Sequence, residues 1–320
     1  DLLAPVAADP FTHVLTLYLE GVSDGRRFIS QAQQVTQTKP IVALKVGRFA
    51  SGQRAVASHT GALAGQENAY NAAFRRAAVI RAETSEELFD WARALAWCPL
   101  PTGNAVAVLT NAGGPGVTAS DAIESLGLRM AELSEDTRQA LSQILPPAAS
   151  LHNPIDMLAS ATPEQYASCL QVLLNDPGVH SALVIVPPPP MHTAGAVAKT
   201  LIPIIHHAEK PVVIALMGER LIQEAIEHFR AARVPEYRFP ERAASALAIL
   251  VQRAEYFQRA QAVPVISREA NPNRVHRLLA GLPAGSWVPQ ETTTQILAAY
   301  GIPTLPQQVV QSAQAAVAAA

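Results

Sequence analysis

Residues 54–65, RAVASHTGALAG, hold one histidine, His59, among small residues, with Gly61 and Gly65 behind it and no charged neighbour closer than Arg54. A core histidine would sit among bulky apolar side chains. A metal histidine would have a second ligand at helical or turn spacing, and the other histidines form no such spacing. No metal site is therefore expected. Two readings of His59 stay open: a structural ring bonded through both nitrogens, and a nucleophile. A neutral imidazole with a pKa near ~6.5 can attack phosphorus at neutral pH and pass the phosphoryl group onward. That chemistry asks for a loop free of bulky side chains and for an anion cradle.

A candidate cradle lies in VLTNAGGPGVTASDA, residues 108–122. A strand ends at Thr110, a glycine-rich turn follows, and a helix opens near Pro115. Backbone N–H groups and the positive end of a helix dipole then converge on one spot. The same residues read equally as a tight strand-to-helix turn without a ligand. Gly114 to Ala119 also satisfy G-x-G-x-x-A, with Glu132 following the next strand, so a dinucleotide site competes. In LYLEGVSDGRRF, residues 17–28, Glu20 stands at a strand's carboxyl end, where open α/β sheets place ligands. Such a carboxylate could hold one imidazole nitrogen and leave the other to react. It reads also as a solvated edge, and Asp24 reads better as a helix cap. HNPIDM, residues 152–157, sets Asn153 and Asp156 around a turn and alone indicates nothing specific.

The elements that must position these residues alternate almost throughout. Val14–Leu19 reads as a strand, 24–37 as a helix, and Ile41–Val46 as a strand after Pro40. A helix near 66–77 carries Tyr70 and Phe74 one turn apart, and a short strand follows at 78–81. Thr84 and Glu87 then form a capping box at the head of the next helix. Pro99, Pro101 and Gly103 mark a boundary. Beyond it, strands are expected at Ala105–Thr110, Leu128–Ala131, Leu183–Val186, Val212–Leu216 and Glu236–Arg238. Thr162, Pro163 and Gln165 open a helix between them. The alternation predicts an α/β protein with two flavodoxin-like, doubly wound parallel sheets. The first shows only about three strands, as though its opening half lay upstream. Residues 262–290 read as a proline-studded linker with a short helix, and a helix, a turn at Gly301 and the start of a strand come last.

The 320 residues are enough for two ordinary domains. With 49% apolar and 16% charged residues the chain reads as compact, not disordered. A net charge of −2 steers it toward neither nucleic acid nor an anionic membrane. No apolar run approaches the ~18–20 residues of a membrane span. Cys98 and Cys169 are expected as free buried thiols in a reducing compartment, hence the cytoplasm. Both ends read as cuts, so a piece of a longer protein is expected.

Taken in order, LYLEGVSDGRRF, SHTGALAG, LTNAGGPGV and NPIDM resemble the NDP-forming acyl-CoA synthetases, among them ADP-forming acetate–CoA ligase and, more distantly, succinyl-CoA synthetase. The resemblance covers nearly all of residues 12–310, and SHTGALAG with TNAGGPG at this separation is specific. It implies a truncated ligase domain with a phosphohistidine loop at 1–100. A flavodoxin-like ligase domain with a phosphate-binding helix follows at 101–261, and 262–320 holds a linker and the start of an ATP-grasp domain, marked by YGIP. In that family an acyl-CoA and phosphate give an acyl phosphate, which phosphorylates a histidine, and the phosphohistidine swings to ADP. By match, His59 is that histidine and Glu20 the carboxylate that orients it. Thr60, Gly61, Asn111, Ala112, Gly113, Gly114 and Gly116 then bind phosphate. CoA, ATP or ADP and Mg²⁺ are expected in the parent protein, with the CoA-binding and ATP-grasp domains in cis or as another subunit. The family's other phosphate-binding helix lies upstream of residue 1, so the chain alone is expected to be inactive.

Rival readings remain. Some protein lysine acetyltransferases carry the same block as a ligand sensor, in which the loop histidine is often replaced. The histidine retained here favours catalysis. An NAD-binding oxidoreductase resting on GPGVTA loses a backbone donor at Pro115. An inert scaffold that pairs with other subunits is the third. The acid activated, the choice of ADP or GDP and the oligomeric state are not legible, although Arg26, Arg48 and the 187–192 loop are candidates to line an acid pocket.

Overall fold

The structure, a computed structural model, describes residues 2–52, 54, 67–261, 270–283, 285–305 and 310–319. Two compact units divide the chain at residues 260 and 261.

The first unit contains two parallel sheets. In the smaller one, β1 (Leu15–Leu19), β2 (Ile41–Lys45) and β3 (Ile80–Ala82) lie in that order. The central strand, IVALK, is buried along its whole length, as a parallel strand covered on both faces must be. Leu15, Ile41 and Ala43 face helices α2 (Gly25–Thr36) and α3 (Glu67–Arg76), which follow the short α1 (Leu3–Ala8). Val42, Leu44, Ile80 and Ala82 face α4 (Ser85–Trp97) on the other side. The expected caps are present. The Asp24 side chain accepts from the Arg27 N–H, and Thr84 and Glu87 close a full capping box, worth about 1 kcal/mol.

The larger sheet runs β5 (Arg129–Met130), β4 (Ala105–Thr110), β7 (Ser181–Val186), β8 (Val212–Leu216), β9 (Glu236–Tyr237). All pairs are parallel, and this is the flavodoxin-like strand order. The sheet has a sixth strand where five were expected. β6 (Ile155–Asp156) pairs with the carboxyl half of β4, on the edge whose amino half pairs with β5. One face carries α6 (Glu135–Ile144), α7 (Pro163–Asn175), α8 (Ala194–His207) and α9 (Gln223–Ala231). The other carries α5 (Gly113–Ser125) and α10 (Pro240–Gln261). Thr162, Pro163 and Gln165 open α7 with the expected capping box.

Helix α4 belongs to both cores: Leu88 and Trp91 pack on the first sheet and Ala94 on the second. Ion pairs bind it to the second sheet. Arg93 joins Asp90 at 3.0 Å and Glu236 at 2.7 Å, and Arg242 of α10 reaches Asp90 at 2.7 Å. A cavity of about 240 Å³ at the carboxyl ends of β8 and β9 is lined by Arg93, Arg242 and Glu236, and also by Glu219, Arg230 and Arg238. Asp90 and Glu236 are each only 5% exposed, and their charges are offset by the arginines that pair with them.

The second unit holds α11 (Pro272–Ala280), α12 (Gln290–Ala299) and α13 (Ala313–Ala319). Cys98 and Cys169 are free, and burial pushes both thiols up to about 12, which leaves them unreactive. Among the described residues no helix is long and apolar enough to cross a membrane.

Candidate functional site

The buried strand β4 ends at Thr110, and the turn beyond it is fixed by that residue's hydroxyl. It donates to the Ala112 carbonyl at 3.0 Å and accepts from the Ala112 N–H at 3.1 Å. Helix α5 then opens on Gly113, Gly114, Pro115 and Gly116, with Ala112 as an N-cap that supplies no side-chain bond. The N–H groups of Gly113 and Gly114 are among those a helix leaves over at its start, and Pro115 has none to give. Two donors and a helix dipole thus point out of the carboxyl edge of the sheet. Asn111 is 4% exposed, and its Oδ1 has no hydrogen-bond partner among the described residues.

The glycines here do different work. A Cβ on Gly116 would stand 3.3 Å from Thr110 Cγ2 and 3.4 Å from Pro154 Cβ, so this buried glycine lets α5 close on the strand edge. A Cβ on Gly114 would meet nothing within 4 Å, and that residue is exposed. Both glycines of GPGVTA are already helical, and the second faces protein, not a pyrophosphate. The geometry gives the dinucleotide reading no support.

β6 is held in place by Asn153. The carboxamide accepts from the Val108 N–H at 2.8 Å and donates to the carbonyls of Val106 (2.8 Å) and Ala131 (3.0 Å). It stands in for the ladder bond that β5 no longer reaches. Register then sets Asp156 opposite Thr110. Its Oδ1 accepts from the Leu158 N–H at 2.9 Å, and its Oδ2 lies 3.2 Å from where a Gly113 Cβ would be. HNPIDM, unspecific as sequence, therefore frames the α5 N-terminus.

His59, Thr60 and Gly61 lie outside the described residues. Their flanks are described. The chain leaves the first sheet after Lys45 and rejoins it as α3 at Glu67, and Arg48 Nε meets Glu67 at 3.0 Å. Arg81 of β3 also pairs with Glu67, and Glu83 pairs with both arginines. Burial alone would raise the Glu67 carboxyl, but the guanidinium groups of Arg81 and Arg48 hold it below its ordinary value. Arg48, a candidate for an acid pocket, is thus engaged in ion pairs.

Glu20 sits one residue past β1, half-buried, in the turn that continues to Val22. The Val22 N–H donates to the Tyr70 hydroxyl at 2.9 Å, so α3 braces this turn. Beside it lies Lys45, opposite Leu19 in the sheet and only 2% exposed. Its ammonium group donates to the Val46 carbonyl and stands 4.8 Å from the Tyr70 ring centroid. Burial lowers its pKa, and the negative charges of Glu67 and Glu20 work against that shift. Lys45 and Tyr70 were not read as site residues. The available signal was a lysine ending an otherwise apolar strand. Glu20 thus belongs to the carboxyl end of the first sheet and Asn111–Gly116 to that of the second.

A family model described as the succinyl-CoA ligase like flavodoxin domain matches residues 1–95, and one described as the ligase-CoA domain matches residues 106–264. The acetate–CoA ligase (ADP-forming) II subunit alpha of Pyrococcus furiosus is 42% identical over 80% of this chain and 56% of its own length. The acetate–CoA ligase (ADP-forming) I of Archaeoglobus fulgidus is 34% identical over 98% of this chain and 44% of its own. The solved dinucleotide forming acetyl-coenzyme A synthetase 1 of Ca. Korarchaeum cryptofilum, in complex with phosphate and ADP, superposes with a TM-score of 0.76. It is 36% identical and covers 82% of this chain and 58% of that one. The chain spans about half the length of the curated relatives it matches. Two ligase-domain models fall in order on the two sheets, and relatives of one kind align across both; the chain belongs to the NDP-forming acyl-CoA synthetase family.

Proposed function

We propose that this chain is the central, relay-carrying part of an ADP-forming acyl-CoA synthetase, which converts acid, CoA and ATP into acyl-CoA, ADP and phosphate. The observation that carries the reading is the uncapped α5 N-terminus at the end of β4, in a chain that also holds SHTG and YLEG. In the direction that makes ATP, phosphate displaces CoA at the acyl carbon. A C–O bond forms as the C–S bond breaks. His59 then attacks the phosphorus, and the N–P bond forms as the bond to the acyl oxygen breaks and the carboxylate leaves. An ADP oxygen takes the phosphoryl group and returns the neutral ring.

Glu20 would accept the N–H of the other ring nitrogen, which fixes the tautomer that reacts. Asn111, Ala112, Gly113, Gly114 and Gly116, with Thr60 and Gly61, would hold phosphate through backbone donors and the helix dipole. Residues 1–100 and 101–261 would act as the two ligase domains, and 262–320 as a linker leading into an ATP-grasp domain. CoA-binding and ATP-grasp functions, with Mg²⁺ on the nucleotide, would come from beyond these 320 residues, in cis or as another subunit, in the cytoplasm. The chain alone would not turn over.

The test is thioester formation by the full-length protein with Mg²⁺–ATP, CoA and a panel of carboxylic acids. Loss of turnover in His59→Ala, and a reduced rate in Glu20→Gln, are expected. Wild-type turnover in His59→Ala would remove the relay.

A further inference from the structure

We propose that Asp156 makes the α5 site selective for oxyanions that carry a proton, so that it takes phosphate and rejects sulfate. This rests on reading the α5 N-terminus as a phosphate site. A helix N-terminus alone attracts any anion. A carboxylate fixed beside it repels an anion unless that anion brings a hydrogen to share.

Asp156 is fixed. Its backbone pairs with Thr110 across β4 and β6, and its Oδ1 takes the Leu158 N–H at 2.9 Å. Oδ2 stands 3.2 Å from the Cβ position of Gly113, the first residue of α5. Among the described residues no hydrogen bond joins that oxygen to the helix, and the N-cap residue, Ala112, supplies none. Leftover donors and an acceptor therefore lie side by side without satisfying each other. The buried Asn111 Oδ1, unpartnered among the described residues, puts a second acceptor at the same turn.

The complement of this arrangement is a tetrahedral anion with bare oxygens for the Gly113 and Gly114 N–H groups and one hydroxyl for Asp156. At neutral pH phosphate keeps a proton on one oxygen. Sulfate, of the same shape and like charge, keeps none. A polar group built to pair with a ligand hydroxyl discriminates strongly against the analogue that lacks it. With Asp156 half-buried, about a 10²-fold preference is expected, below the limit for a sealed site.

The test is displacement of labelled inorganic phosphate from the full-length protein by unlabelled phosphate, arsenate, sulfate and selenate, in wild type and Asp156→Asn. Asparagine keeps the acceptor for Leu158 and turns an N–H₂ toward the anion. In wild type, arsenate should compete like phosphate, while sulfate and selenate need about 10²-fold more. In Asp156→Asn, sulfate should approach parity with phosphate. The wild-type series alone decides the matter should the variant misfold. Phosphate binding with equal displacement by sulfate in wild type overturns the role of Asp156 and leaves the site standing. No phosphate binding to wild type removes the site, and the proposal with it.

Discussion

Removing the Asn153 carboxamide should damage both the second sheet and the candidate site. Along the β4 edge, the Ala131 N–H reaches the Val106 carbonyl at 2.8 Å, and the next ladder bond would join the Val108 N–H to the Ala131 carbonyl. Asn153 is inserted there, accepting from the first and donating to the second. Val108 is 0% exposed and Ala131 3%, so water cannot replace the missing partner. Asn153→Ala leaves one buried N–H and one buried carbonyl unpaired, at about 1–3 kcal/mol each. With β5 closing part of the gap, the loss should be about 3 kcal/mol. For a unit of this size that is a fall in Tm of about 6–12 °C, measurable by calorimetry.

Asn153→Asp sharpens the test. It keeps the acceptor for Val108 but turns a carboxylate toward two carbonyl oxygens at neutral pH. Its protonated form can donate again, so the folded state raises the pKa of the introduced carboxyl. The deficit should therefore shrink as pH falls. A Tm shift below about 2 °C for Asn153→Ala, or an acid-insensitive deficit for Asn153→Asp, would refute the inserted-ladder argument.

Two further outcomes follow from the same geometry. His180 accepts the Ala105 N–H on Nδ1 at 3.1 Å, and burial, with Arg129 and Lys210 nearby, lowers its pKa below the usual 6.5. The stability it adds is complete above pH 6.5 and is lost as pH falls through the lower folded value. Thermal melts across pH 5–7.5 should show that slope in wild type and a flatter one in His180→Gln. Gly114→Ala adds a methyl group in open space at a helix start. It should leave stability within about 1 kcal/mol of wild type while weakening phosphate binding, and unchanged phosphate affinity would count against that face as the docking surface.

The fold was legible where local rules and tertiary needs agree. The strand Ala105–Thr110 and the boxes at Thr84/Glu87 and Thr162/Gln165 follow from apolar runs and capping chemistry, and the structure has each of them. β6 was not legible, because two residues after a proline carry no strand signal. They pair only because a side-chain amide bridges the ladder beside them. β5 was overread at its ends for a related reason: only Arg129 and Met130 stay in register before the strand diverges. At the site, the glycine-rich helix start was legible from TNAGGPG, but the division of labour between Gly114 and Gly116 needed the neighbours Thr110 and Pro154. Helical spacing sets Tyr70 one turn from Phe74. Tyr70 does pack there, at 6.0 Å between centroids, yet its hydroxyl also takes the Val22 N–H. Amphipathic patterning reports which face is buried and is silent about a polar tip.

The measurement that bears most directly on the relay is phosphate labelling of the intact full-length protein with Mg²⁺ and γ-labelled ATP, beside His59→Ala. The account predicts a label on wild type that is stable in base, labile in acid and discharged by the correct acid plus CoA, and no label on the variant. A wild-type protein that takes no label, or a variant that labels equally, would contradict it.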